Sequence, residues 1–359
     1  MRPRLMFAGM CMAVALVAHA GTAAFVDPLQ AAAPIDAMTS DSLTSSGQLS
    51  AIAKAGTRLV AVGLRGLIVL SDDQGKNWRQ VPVPVSSDLL AVQFVSPSKG
   101  WVVGQDGVVL HSDDGGEHWL RQFEGNAAHA VAVAHFQGLI KAGEPTAEQA
   151  LNDVELNYAN GPEQALLDLW FEDEQHGFVV GSFGTLFATD DGGATWQCWM
   201  DRVEAPELLH LNAIRGIGAT VYIASEQGFV FKLDRQQQRF MAHETGYPGS
   251  FFSLAGFGNT VVAFGLLGNA WHSVDGGDSW KKVETGTQGS FTSTLALDDG
   301  RLLAVTRTGQ LLVSADQGQH FSAVAIPRPM LLTGLAATGD TATLVGLGGV
   351  QAASLTVAK

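Results

Sequence analysis

Short apolar runs separated by turns rich in Gly, Asp and Ser repeat along nearly all of this chain. The clearest stretch places them at residues 89–95, 101–103, 108–111 and 119–123, with the alternation or brief apolar continuity of buried and half-buried strands. The turn between the third and fourth runs spells Ser/Thr-x-Asp-x-Gly-x-x-aromatic five times. Its members are Ser71-Asp73-Gly75-Trp78, Ser112-Asp114-Gly116-Trp119, Thr189-Asp191-Gly193-Trp196, Ser273-Asp275-Gly277-Trp280 and Ser314-Asp316-Gly318-Phe321. Trp78 and Trp119 lie 41 residues apart, as do Trp280 and Phe321, and Trp196 to Trp280 spans two units, 84 residues.

A second signature gives the same period. Four-residue turns ending in Gly join the second and third runs at residues 63–66, 104–107, 181–184, 225–228, 265–268, 306–309 and 346–349, spaced by 41, 77, 44, 40, 41 and 40 residues. Repeats of about 40–45 residues, each with four strands that bury their faces only against neighbouring repeats, predict an all-β, seven-bladed β-propeller. The one long spacing is a repeat plus an insertion, residues 126–164, whose segments 127–141 and 146–157 have helix-favouring composition and whose second segment opens at Thr146, an acceptable cap. The fourth repeat has lost its box but keeps Phe240. The seventh has room for only three strands, so the apolar stretch at residues 25–38 is expected to supply the missing edge strand; Pro28 is tolerable on such an outermost strand.

Residues 1–20 have the charged, apolar and small-residue order of a secretory signal, Arg2 and Arg4 before an apolar run and then Ala18-His19-Ala20. An exported, periplasmic chain of residues 21–359 is expected, monomeric and without a membrane span after cleavage. The net charge of −14 opposes nucleic acid as a partner. Only Cys198 remains once Cys11 is removed, so no intrachain disulfide forms. The ten histidines are scattered, without the close pairs of a zinc site, and neither metal nor cofactor is expected.

The boxes are expected to be structural, with each Asp (Asp73, Asp114, Asp191, Asp275, Asp316) accepting from turn amides and each aromatic (Trp78, Trp119, Trp196, Trp280, Phe321) packing between sheets. Recognition is expected on the other face, where the Gly-bounded turns and the insertion emerge: Arg65, Gln105, Asp106, Phe183, Glu226, Gln227 and Arg307 are the candidate contacts, around the channel mouth. The insertion is expected to carry a partner contact and to be replaceable by a short linker without loss of the fold.

Such boxes also occur in sialidases and other glycosidases. A sialidase-like hydrolase or glycan-binding propeller is therefore the alternative, but no catalytic set is apparent: only Tyr158, Tyr222 and Tyr247 exist, Glu226 beside Tyr222 is the one suggestive pair, and Arg65, Arg215 and Arg307 would have to converge.

The joint pattern, clearest in residues 104–116 and 181–196, resembles the bacterial relatives of the photosystem II assembly factor Ycf48, a family of seven-bladed propellers with Asp-box repeats. The resemblance implies a non-catalytic scaffold or assembly factor for a membrane or envelope protein complex. Two departures, the helical insertion and the lack of an arginine surplus where photosynthetic members have an arginine patch, point to a non-photosynthetic member and to a different complex, such as a transporter.

Overall fold

A computed structural model of the chain describes residues 26–35 and 39–355; the signal-sequence expectation falls outside these residues. Seven antiparallel sheets follow one another along the chain, six of four strands and a last one of three. Their innermost strands are Leu49–Ala55, Leu89–Phe94, Leu166–Phe171, Leu211–Ile217, Phe251–Phe257, Phe291–Ala296 and Leu332–Thr338. Neighbouring inner strands touch all round, the seventh against the first, so the seven-bladed propeller closes. Strands two are wholly buried runs such as Gly100–Gly104 and Gly177–Gly181, sandwiched between adjacent blades.

Every blade has the same irregularity. The pairing of strand one with strand two slips by one residue after the first pair, at Leu49/Ala51, Leu89/Ala91, Leu211/Ala213, Phe251/Ser253, Phe291/Ser293 and Leu332/Gly334, and in blade three opposite Gly181. A bulge leaves its extra residue outside the ladder. In three blades that residue reaches the next blade: Asn212 Nδ2 donates to Phe251 O, Thr292 Oγ1 to Leu332 O and Thr333 Oγ1 to Leu49 O, at 2.9, 2.9 and 2.8 Å.

The Asp boxes are built alike. In each, the Ser or Thr hydroxyl donates to the Asp Oδ1 and accepts from the Gly amide, as Ser112 does with Asp114 and Gly116 at 2.9 and 2.9 Å. The amide before the aromatic donates to Oδ1, and that same residue's side chain meets Oδ2, whether Asn77, His118, Thr195, Ser279 or His320. The indoles of Trp78, Trp119 and Trp280 donate to the carbonyl three residues earlier, at 3.0, 2.9 and 2.9 Å. Each aromatic packs toward the preceding blade: Trp78 with blade seven, Trp119 with blade one, Trp196 with blade two. In blade four, Phe240 is fully buried in the same role although its turn, closed by Asp234 accepting from Gln236 and Gln237 amides, is no longer a box.

Blade seven closes differently from the expectation. Residues 26–35 do not pair with its outer strand, Gly349–Ser354. They lie across blades one and two, where Leu29 and Ala33 are buried, Ala33 N donates to Val83 O and Ser86 N to Pro28 O. The edge of blade seven is covered instead by helix α1, Ser40–Ser46, whose Leu43 is buried and whose Thr44 carbonyl, like that of Gly348, accepts from Arg328. A turn of helix covers an edge as well as a strand pairs it, and burying Leu29 needs an apolar groove that a sheet edge does not offer.

The insertion forms helices α2, Gly125–Ala142, and α3, Ala147–Asn157. Glu124 caps α2 by accepting from the amides of Asn126 and Ala127, whereas Thr146 makes no side-chain cap on α3. The insertion is not a detachable excursion. Ala128, Ala132 and Phe136 are buried against Phe187 and Cys198 of blade three, and burial pushes the Cys198 thiol up to about 12.

Two outcomes test this account. The Asp boxes hold their carboxylates low, Asp73 to about 2 through the amide and side chain of Asn77, and Asp316 to about 2 because bonds from His320 and Ser314 outweigh its partial burial. Depressed carboxylates bind fewer protons in the folded state, so the boxes' stabilisation is complete above the free carboxyl value of about 4 and is lost as pH falls toward about 2; urea midpoints measured from pH 5 downward should decline across that window. Ser112→Ala orphans the buried Gly116 amide and should cost about 1–3 kcal/mol. For the insertion, Phe136→Ala should cost about 3–5 kcal/mol and make Cys198, unreactive toward a thiol reagent in the native chain, open to labelling. An unchanged melting temperature and a still-protected thiol would contradict the packing of α2 on blade three.

Candidate partner-binding face

The turns between strands two and three share one face with the connections that carry the chain from blade to blade, and the Asp boxes occupy the other. Each of these turns is anchored twice. Its first amide donates to the carbonyl just before its own blade's inner strand, as Leu64 N does to Gln48 O and Gln105 N to Asp88 O. Its second amide in three blades meets a side chain preceding the next blade's inner strand: Arg65 N to Asp88 Oδ1, Phe183 N to His210 Nδ1, Leu267 N to Ser290 Oγ, at 2.7, 2.9 and 3.1 Å.

This double anchoring fixes an uncommon backbone. The second turn residue is left-handed in five blades, at Arg65, Asp106, Phe183, Gln227 and Leu267, with φ between 52° and 60°. A non-glycine residue there costs about 1–3 kcal/mol. The following Gly66, Gly107, Gly184, Gly228 and Gly268 are left-handed too, and a Cβ on Gly66 would come within 2.2 Å of Val85 O.

The seven candidate contacts separate into two groups. Asp106 and Glu226 are turned inward: Asp106 Oδ2 accepts from Ser87 Oγ at 2.6 Å, and Glu226 Oε2 accepts from the His210 amide at 2.8 Å. Their carboxylates tie a turn to an adjacent connection. Gln105 is half-buried, Arg65, Gln227 and Arg307 are exposed, and Phe183 is 42% exposed with its ring edge-on to His210. Leu266, Leu267 and Leu347 add apolar surface on blades five and seven, Leu267 being 71% exposed, and Leu208 adds more beside Phe183. The face therefore carries an apolar arc with two cations, Arg65 and Arg307, on either side of the Leu347 turn.

The arginines elsewhere are spent internally. Arg58 and Arg79 pair with Asp72 and Glu117, Arg235 with Glu172, and Arg301 with Asp299 and Asp340. Arg121 and Arg328 donate to backbone carbonyls, and Arg202 stacks over Trp199. Among the described residues, Arg65 and Arg307 have no side-chain partner.

None of the seven candidates lines the axial cavity, because the turns lie a strand's width outside the inner strands. That cavity, about 330 Å³, is lined by inner-strand residues including Lys54, Phe94, Trp170, Arg215 and Asp298. Arg215 Nη1 pairs at 2.9 Å with Asp168, a fully buried carboxylate that burial pushes up against the pull of Arg215 and of the Ile214 amide. Asp298 is the only carboxylate lining the cavity, short of the pair that glycoside hydrolysis employs. Nor does the Tyr222–Glu226 pair form: the Tyr222 hydroxyl donates to Gly276 O on the Asp-box side, while Glu226 sits on the opposite face. Arg215 in the cavity is likewise apart from Arg65 and Arg307. Among the described residues no group of three His, Cys, Asp or Glu is placed to hold a metal ion, and no helix is long and apolar enough to cross a membrane.

A family model described as photosynthesis system II assembly factor YCF48 matches residues 34–138 and 144–325. The photosystem II assembly lipoprotein Ycf48 of Synechococcus sp. (strain CC9902) is 26% identical over 156 residues, 43% of this chain and 47% of that protein. The protein of the same name from Trichormus variabilis is 28% identical over 169 residues, 44% and 48% of the two chains. The chain spans about half the length of these curated relatives. A solved structure described as YCF48 bound to D1 peptide superimposes with a TM-score of 0.63 at 15% identity, covering 88% of this chain and 95% of that one. YCF48 from Cyanidioschyzon merolae gives 0.59 at 16%, covering 90% and 98%. These likenesses bear on the fold.

The left-handed tips allow the face to be altered without harming the scaffold. Asn tolerates this backbone where Arg, Phe and Leu are strained, so Arg65→Asn, Phe183→Asn and Leu267→Asn together should leave the melting temperature unchanged or raised, measured by circular dichroism. A fall of several degrees would mean that these side chains hold the turns together.

Proposed function

The chain belongs to the family of the photosynthesis system II assembly factor YCF48, and we propose that it is a non-catalytic scaffold that binds a segment of a membrane or envelope protein complex on its turn face during assembly. The observation that carries this reading is the exposed arc of Phe183, Leu208, Leu266, Leu267 and Leu347 with the unpaired Arg65 and Arg307, displayed on strained turns of a rigid ring. Aromatic and aliphatic anchors desolvated on binding, with guanidinium groups free for bidentate bonds to a carboxylate, are the usual sources of affinity in a protein interface. The D1 peptide in the solved YCF48 complex supports a polypeptide as the kind of ligand. We assign the periplasm as the location and, from the scarcity of unpaired arginine, a partner other than a photosystem, a transporter complex among the candidates.

The test is crosslinking followed by affinity purification from the native envelope. With Arg65→Asn, Phe183→Asn and Leu267→Asn combined, recovery of the crosslinked partner should fall by about tenfold or more, as loss of central anchors does, while the fold is kept. Undiminished recovery would move the contact to the Asp-box face.

A further inference from the structure

Helix α3 and the connection from blade three to blade four enclose a groove of about 360 Å³ beside the turn face. Its floor is buried and apolar, formed by Phe136, Leu209 and Leu211, and its walls include Ala150 of α3 and Met200. Three carboxylates stand around it, Asp153, Asp201 and Glu207, and no Lys or Arg lines it. Asp201 is held ionised: partial burial works against this, but His135, whose Nε2 lies 2.8 Å from Asp201 Oδ1, lowers it overall. Asp153 accepts from Gln149, and among the described residues Glu207 has no side-chain partner. The groove continues past Gly184 toward the Phe183 turn, and Leu208 at its lip is 44% exposed.

We propose that this groove binds a polypeptide segment of the partner in which apolar side chains are flanked by Lys or Arg. The proposal rests on the assembly-scaffold reading and specifies its partner's chemistry. Apolar floor and walls reward burial of leucine-like groups. The three carboxylates reward cations at the ends of that segment and repel an acidic one, which is how rim charges select among partners. The turn face and the groove then divide the recognition, the free arginines taking carboxylates of the partner and the groove taking its basic, apolar stretch.

The probe is a fluorescein-labelled peptide of leucine and lysine, compared with one of leucine and glutamate and one of serine and lysine, titrated with the full chain by fluorescence anisotropy. The leucine–lysine peptide should bind, and the other two should not. Asp153→Asn with Glu207→Gln, two half-exposed or exposed positions that carry no core packing, should weaken binding by roughly tenfold, whereas Asp113→Asn with Asp278→Asn on the Asp-box face should not. Equal weakening by both pairs, or equal binding of the serine–lysine peptide, would reduce the effect to the general charge of the chain and overturn the proposal; so would no binding at all. Partner recovery from the envelope separates the two readings. If the turn-face variant loses the partner while Asp153→Asn with Glu207→Gln keeps it, the scaffold reading stands and the groove proposal falls. If only the groove variant loses it, the groove stands and the turn-face assignment falls.

Discussion

Closure of the ring is the constraint on which everything else depends, because no blade can bury both faces of its sheet alone. Six of the seven junctions join blades consecutive in sequence. The seventh joins residues nearly 300 apart, and in the described chain no strand is shared across it. The seam is held by side chains: Thr333 donating to Leu49 O, Arg328 donating to Thr44 O and Gly348 O, and Trp78 wedged with Leu43, Ala336 and Val345 between blades seven and one. Thr333 uses the same bulge geometry as Asn212 and Thr292, so the seam repeats a contact found elsewhere in the ring. The N-terminal region is recruited as a cover, α1 over the edge and Leu29 into the outer groove, which protects strand Gly349–Ser354 from pairing with another chain.

What the sequence disclosed and what it hid follows from the range of the interactions. The Asp box is local: Ser112, Asp114, Gly116 and His118 satisfy one another within seven residues, so the motif determines its own turn and betrays the repeat. The left-handed tips are also local, and the Gly after each marks them. The bulge is not written in any motif, since its extra residue is Asn, Thr, Leu or Phe. The fate of residues 26–35 was illegible because an apolar stretch with Pro28 fits an edge strand and a groove filler equally well. The helices of the insertion were visible in composition, but their docking was not. A signal for it existed: Ala128, Ala132 and Phe136 recur every four residues, a stripe that a helix buries on one side. Their partners Phe187 and Cys198 stand more than fifty residues away, and only the fold brings them together.

The same distinction sorts the candidate contacts. Turn position alone could not tell a carboxylate that serves the scaffold from one that faces a partner. Asp106 and Glu226 proved to be internal acceptors for Ser87 and the His210 amide, fastening turns that the chain must hold rigid before any face can be displayed. The arginines divide in the same way, those between blades neutralising local carboxylates and only Arg65 and Arg307 on the turn face left unpaired.

The strained tips carry the functional argument one step further. Gly, the residue with the least conflict in a left-handed backbone, already occupies the next position in these turns, so the fold has ready access to it. At Phe183 and Leu267 it instead holds large apolar side chains that are substantially exposed, incurring backbone strain and solvent exposure together. Neither cost is recovered within the described chain: the Phe183 ring meets only the edge of His210, and Leu267 remains 71% exposed. Side chains held out in strained positions on a rigid ring gain their compensation when something buries them, which is the behaviour expected of anchors in a docking surface.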